Sequence, residues 1–161
     1  MTLKPLMVRK ARPQDVRMLW EWANDSVVRK SAFSSDPILW EEHKEWFFHR
    51  LQNSNCAIFI GFDPEGTAVG QARFEGEEET ATISLSIASA ERGKGYAPVL
   101  IQISLVELFK DSRWKTVQAW IKPDNIASRL SFERAGFHYH REENIRGHHA
   151  IGYVMHRDDF L

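Results

Sequence analysis

The chain has 161 residues and a formal net charge of -1, with 43% hydrophobic and 27% charged residues. That length suits a single domain over 1–161 with a sizeable core, and six Trp with ten Phe exclude a disordered chain. The near-neutral balance gives no electrostatic case for nucleic acid or an anionic membrane. Cys56 is the single cysteine, which excludes an intramolecular disulfide and a cysteine-based zinc site.

In chain order, Leu6-Met7-Val8-Arg9-Lys10 reads as a first strand. Pro13 opens a helix whose buried stripe is Val16, Leu19, Trp20 and Ala23. Ser31 to Pro37 reads as a loop, and a second helix is expected over about Ile38 to Gln52. Cys56–Phe62, Thr67–Phe74 and Ala81–Ala88 form a three-strand meander, turning at Asp63-Pro64-Glu65-Gly66 and at Gly76-Glu77-Glu78-Glu79. A helix follows Pro98 with a wide apolar face of Leu100, Ile101, Leu105, Leu108 and Phe109. Thr116–Ile121 is then a strand parallel to the one before the helix. Asn125 to Ala135 is a short helix closed by Gly136, and Phe137–Arg141 with His149–Met155 are two closing strands. The order β-α-α-β-β-β-α-β-α-β-β is a mixed α/β domain, unlike a doubly wound sheet. Cys56 lies in an apolar strand run and is expected to be an inert thiol. Met1-Thr2-Leu3-Lys4-Pro5 has no signal-peptide apolar stretch, no apolar run reaches the ~18 residues of a membrane span, and a cytoplasmic protein is expected.

The most informative segment is Arg92-Gly93-Lys94-Gly95-Tyr96-Ala97-Pro98, at a strand-to-helix junction. Glycines let backbone approach an anion, and a helix start offers unpaired N–H groups and a partial positive charge. It is neither the G-x-x-x-x-G-K-[ST] loop nor G-x-G-x-x-G: no Ser or Thr follows Lys94, and no third glycine follows Gly95. Arg92-x-x-Gly95-x-Ala97 resembles the acyl-CoA pyrophosphate loop of the GNAT superfamily of N-acetyltransferases. Asn125-Ile126-Ala127-Ser128-Arg129-Leu130-Ser131-Phe132-Glu133-Arg134-Ala135-Gly136-Phe137 resembles a second element of the same family. The fold implied covers nearly the whole chain.

The resemblance implies acetyl-CoA as co-substrate and a primary amine on a small molecule as acceptor. It assigns the cofactor to Ile87, Ser89, Arg92, Gly93, Lys94, Gly95, Tyr96, Ala97, Asn125, Ser128 and Phe132, with the Ile87 amide polarising the thioester carbonyl. Asn125 suits either a pantetheine contact or an N-cap. Phe132 stands where many members carry a proton-donating Tyr, and the common fourth-strand carboxylate is absent. Glu75 and His43 are the candidate bases, though an exposed hairpin carboxylate and a partly buried structural imidazole are the readings preferred for them.

Trp22, Asn24 and Arg29 are the candidate acceptor contacts: an aromatic, an amide and a guanidinium suit a polar ligand with an anionic group. The first two helices resemble members that acetylate a nucleotide-linked aminosugar in nonulosonic acid synthesis, and also the branch acting on ribosomal protein N-termini. A noncatalytic acyl-CoA-binding module is the alternative from another class. His138, His140, His148, His149 and His156 form no metal signature, so no metal is expected; monomer and homodimer both stay open.

Overall fold

The structure, a computed structural model, describes residues 5–111 and 113–160. Met1–Lys4, on which the N-terminal reading largely rests, lie outside the described residues. The described residues form a seven-stranded sheet in the order β1-β2-β3-β4-β5-β7-β6. Its strands are β1 (Met7–Lys10), β2 (Cys56–Phe62), β3 (Ala68–Glu75), β4 (Thr80–Ile87), β5 (Thr116–Ile121), β6 (His138–Ile145) and β7 (His148–His156). Every pairing is antiparallel except β4 with β5. That parallel pair is joined by the long crossover helix α4 (Tyr96–Asp111), as parallel neighbours require.

Alternation along the strands sorts side chains to two faces. Phe59, Phe74, Ile83, Val117 and Ile151 point into the larger core with Ile101 and Leu105 of α4 and Phe132 of α5 (Ile126–Arg134). Ile58 and Ile60 point the other way, against Leu19 of α1 (Val16–Ala23) and Phe47 of α3 (Trp40–Leu51). Phe74 and Phe47 are fully buried, and each such aromatic contributes roughly 1.5–3 kcal/mol by burial.

Local chemistry sets the differences from the sequence reading. A short helix α2 (Ser26–Ser31) follows α1, because the Asp25 carboxylate accepts from Val27 N–H and Val28 N–H and starts a new helix. The next helix starts at Trp40, not Ile38, because the Asn24 amide holds both Ile38 N–H (2.7 Å) and Ile38 C=O (2.9 Å). A last turn of helix, α6 (Arg157–Phe160), was not expected. The α5 terminus is as read: Gly136 has φ 102°, Gly136 N–H reaches Glu133 C=O and Phe137 N–H reaches Phe132 C=O, both at 3.0 Å. These two bonds are the Schellman pair.

One irregularity of the sheet matters most. β4 and β5 pair at Thr80↔Thr116, Ala81↔Val117 and Thr82↔Gln118, and the pairing stops there. Both strands continue, to Ile87 and Ile121, leaving a gap in the middle of the sheet.

Candidate active site

A cleft of about 1120 Å³ passes through this gap. Leu19, His43 and Trp46 line it from the α1/α3 side, and Pro98 and Phe132 from the α4/α5 side. Its volume exceeds the usual range for one small ligand, so it has room for a donor and an acceptor.

Backbone geometry on β4 gives the gap its polarity. Ala88 N–H bonds Val69 C=O at 2.9 Å, and Gly70 stands opposite Ile87. Successive amides of a strand face opposite edges. The N–H and C=O of Ile87 therefore face the gap, as do those of Leu85. They present the unpaired edge to which an extended ligand adds like a strand.

Next to the gap lies the Arg92–Pro98 loop. Gly93 has φ 76° and Gly95 φ 82°, a left-handed backbone that glycine adopts without strain. No atom lies within 4 Å of where a Cβ on either would sit. The loop leads into the first turn of α4, so the positive end of the helix dipole points toward the cleft. Arg92, Gly93, Gly95, Tyr96 and Ala97 line the cleft. Lys94 is exposed and pairs with Glu91 at 2.9 Å. Exposed Ser89 starts a 3-10 turn, and its C=O accepts a long 3.5 Å bond from Arg92 N–H. Asn125 and Ser128 line the cleft together, and the Asn125 side chain accepts from Ser128 N–H at 3.2 Å. Asn125 is thus an N-cap whose residue also borders the cleft. Phe132 is 3% exposed, edge-on to Phe137 at 5.0 Å.

The candidate bases differ sharply. Glu75 does not line the cleft; its Oε1 lies 2.7 Å from Arg73 Nε and 3.7 Å from Arg50 Nε. The approach from Arg73 is close but not aligned for a hydrogen bond. His43 does line the cleft, with 4% exposure. Its Nε2 is 3.0 Å from Val16 C=O, which can only accept, so Nε2 carries the proton and Nδ1 the lone pair. Burial lowers the His43 pKa, and the Arg73 charge lowers it further against the pull of that bond.

The candidate acceptor residues separate as well. Asn24 uses its amide on Ile38 and does not line the cleft. Trp22 packs against the Leu19–Phe47 cluster, also outside it. The proximity of both residues to Arg29 in sequence does not carry over to the cleft. Arg29 does line it, with Nε donating to Ala23 C=O at 2.6 Å.

The sequence reading did not single out Gln71 and Arg73, which with Ser84 and Ser86 make the cleft's polar floor. Gln71 Nε2 donates to Ser86 Oγ at 3.1 Å and Arg73 to Ser84 Oγ at 3.2 Å, all four residues lining the cleft. The signal was present in the alternation Gln71-Ala72-Arg73-Phe74 facing Ser84 and Ser86 across the meander. Among the described residues no group of His, Cys, Asp and Glu is arranged to hold a metal ion, and no helix is long and apolar enough to cross a membrane.

Comparison with known proteins agrees with this geometry. The family profile described as an acetyltransferase (GNAT) domain matches residues 6–138. No curated protein matches the chain. Aminoglycoside acetyltransferase AAC(6')-Ib, solved with coenzyme A and kanamycin, superposes with TM-score 0.82 at 20% identity, over 97% of each chain. Spermidine N-acetyltransferase from Vibrio cholerae, solved with CoA and spermine, superposes with TM-score 0.86 at 18% identity, over 97% of this chain and 98% of that one. With a split sheet, an anion-binding loop beside it and a family match over most of its length, this chain belongs to the GNAT acetyltransferases, which take acetyl from acetyl-CoA.

Proposed function

We propose that the protein acetylates the primary amine of a small metabolite, with a nucleotide-linked aminosugar as the acceptor. The observation that carries the reading is the gap beyond Thr82 and Gln118, into which the Ile87 amide opens. On this reading the pantetheine arm lies along that edge, held by backbone and by Asn125 and Ser128. The diphosphate rests on Arg92–Ala97, with Gly93 and Gly95 leaving room for its oxygens. Bound there, acetyl-CoA supplies an activated thioester. The chain's part is to orient it, to donate the Ile87 N–H to the carbonyl oxygen and to exclude water.

An alkylamine is mostly protonated near neutral pH and must lose a proton before attack. Of the two candidate bases, geometry favours His43: its residue borders the cleft, it stays neutral, and Nδ1 keeps a lone pair. Glu75 lies outside, against two arginines. Phe132 cannot protonate the leaving thiolate, but a thiol of ordinary pKa near 8.5 leaves tolerably as the anion.

The test is CoA release from acetyl-CoA with a panel of amines: UDP-linked aminosugars, the same sugars without nucleotide, spermidine, kanamycin and peptides with free N-termini. Turnover should be fastest with a UDP-linked aminosugar. Faster release with peptides would replace the metabolite by a protein acceptor, and no release with any amine would remove the catalytic reading.

A further inference from the structure

The acceptor side of the cleft carries more positive charge than its own carboxylates neutralise. Arg29 and Arg73 both line it. Arg29 donates from Nε to Ala23 C=O (2.6 Å) and from one terminal nitrogen to Ser34 C=O (3.1 Å) and Asp36 C=O (3.4 Å). All three partners are neutral carbonyls, and among the described residues its other terminal nitrogen has no partner. Arg73 places Nε near Glu75 and one terminal nitrogen on Ser84, and its second terminal nitrogen likewise has no partner among the described residues. Its guanidinium lies 4.8 Å from the Trp46 ring centroid, a cation–π contact.

The carboxylates nearby do not balance this. Glu75 is shared between Arg73 and Arg50, and Glu91 is paired with Lys94. Glu42, exposed on α3, is the one remaining acidic residue on the cleft wall among the described residues. Arg29 and Arg73 share this cleft lining; burial lowers the Arg29 pKa most, and the Arg73 charge lowers it further. An anion between them relieves that repulsion and takes up the unused donors. Guanidinium pairs suit phosphate because their N–H geometry matches two oxygens at once.

We infer that Arg29 and Arg73 together form a phosphate-recognition wall that selects acceptors carrying a phosphate or diphosphate and rejects polycationic amines. This rests on the acetyltransferase reading above and names its specificity residues.

The test titrates UDP, and separately inorganic pyrophosphate, into enzyme already saturated with CoA, so that the donor's own phosphate loop is filled. Wild type should bind one equivalent of UDP. Arg73→Gln should weaken it by roughly tenfold, and Arg73→Lys, which keeps the charge but not the fork, should lose less. Arg29→Gln risks the fold because its side chain ties three carbonyls, so Arg29→Lys is the second variant, with a smaller loss. The preceding CoA titration shows whether each variant is folded. Pyrophosphate binding as well as UDP assigns the recognition to the phosphates; UDP alone adds a base contact, and both outcomes support the wall. No binding of either anion, unchanged affinity in Arg73→Gln, or faster acetylation of spermidine or kanamycin than of a UDP-linked aminosugar overturns it. If CoA itself fails to bind wild type, the acetyl-CoA reading falls; if CoA binds and UDP does not, only this inference falls.

Discussion

Arg92 of the anion-binding loop is held 2.6 Å from Asp25, the N-cap of α2, across 67 residues of sequence. The same Asp25 oxygen accepts from Val27 N–H and Val28 N–H. The Arg92 hydrogen bond, set against a smaller desolvation effect and aided by those amides, keeps the Asp25 carboxyl below its ordinary pKa. One carboxylate thus joins the loop on the donor side to the helix that carries Arg29.

That bond competes with a bound diphosphate for the Arg92 guanidinium, and Asp25 itself repels the phosphates. Asp25→Asn should therefore tighten CoA binding, by roughly twofold to tenfold, or about 0.4–1.4 kcal/mol for a partly buried pair. Asn caps a helix as well as Asp does, so α2 should survive. Calorimetry with CoA at low salt reads the change, which should shrink at 1 M salt. Weaker binding in Asp25→Asn would show that the pair positions Arg92 for the ligand.

Gly95→Ala forces a side chain onto a backbone at φ 82°, at a cost of about 1–2 kcal/mol, and puts a methyl into space kept for phosphate. CoA affinity should fall by more than that strain alone explains. Gly66→Ala is the control: Gly66 has φ 85° and equally open surroundings, but in the Asp63 hairpin turn. It should lose similar stability in urea and keep CoA binding. Equal CoA losses in both variants would make the loop effect a general stability effect.

These two tests mark what was legible in the sequence and what was not. Gly93, Gly95 and Gly136 could be read because glycine at a helix boundary has few other uses, and all three adopt positive φ. The meander was legible from its turn residues, and the parallel pair from the helix between its strands. The Asp25–Arg92 pair was not, because nothing local links residues 67 apart. Asn24 and Trp22 looked like ligand contacts for their chemistry, yet a backbone strap at Ile38 and a small apolar cluster claim them. Arg73 was hidden by its neighbour, since Glu75 drew attention as a carboxylate while Arg73 borders the cleft.

Asp15 offers a stability test away from the cleft. It is 6% exposed, takes a bidentate pair from Arg9 at 2.7 and 2.9 Å, and accepts Arg12 N–H at 2.7 Å. Burial pushes its pKa up, but the hydrogen bonds and charges of Arg9 and Arg12 outweigh it and leave the carboxyl below its ordinary value. A depressed folded-state pKa stabilises fully above about pH 4 and is lost as pH falls through the folded value. Asp15→Asn should thus cost about 2 kcal/mol at pH 7 in urea unfolding, with the gap to wild type narrowing below about pH 4. A gap that does not change with pH would contradict an ionised, paired Asp15.

Cys56 should react slowly in the native protein. Burial first, and then the Glu75 charge, push its thiol pKa up to about 11. At pH 8 roughly one molecule in a thousand is then a thiolate. Alkylation of native protein followed by mass spectrometry should lag far behind alkylation in urea. Native and unfolded rates that match would refute a thiol shielded by the fold.

The central claim is that acetyl-CoA occupies the gap where β4 and β5 part beyond Thr82 and Gln118. Isothermal calorimetry with acetyl-CoA tests it most directly. One equivalent should bind at about micromolar to submillimolar affinity, with a marked loss in Gly95→Ala. No heat of binding at millimolar acetyl-CoA, in folded wild-type protein, would contradict it.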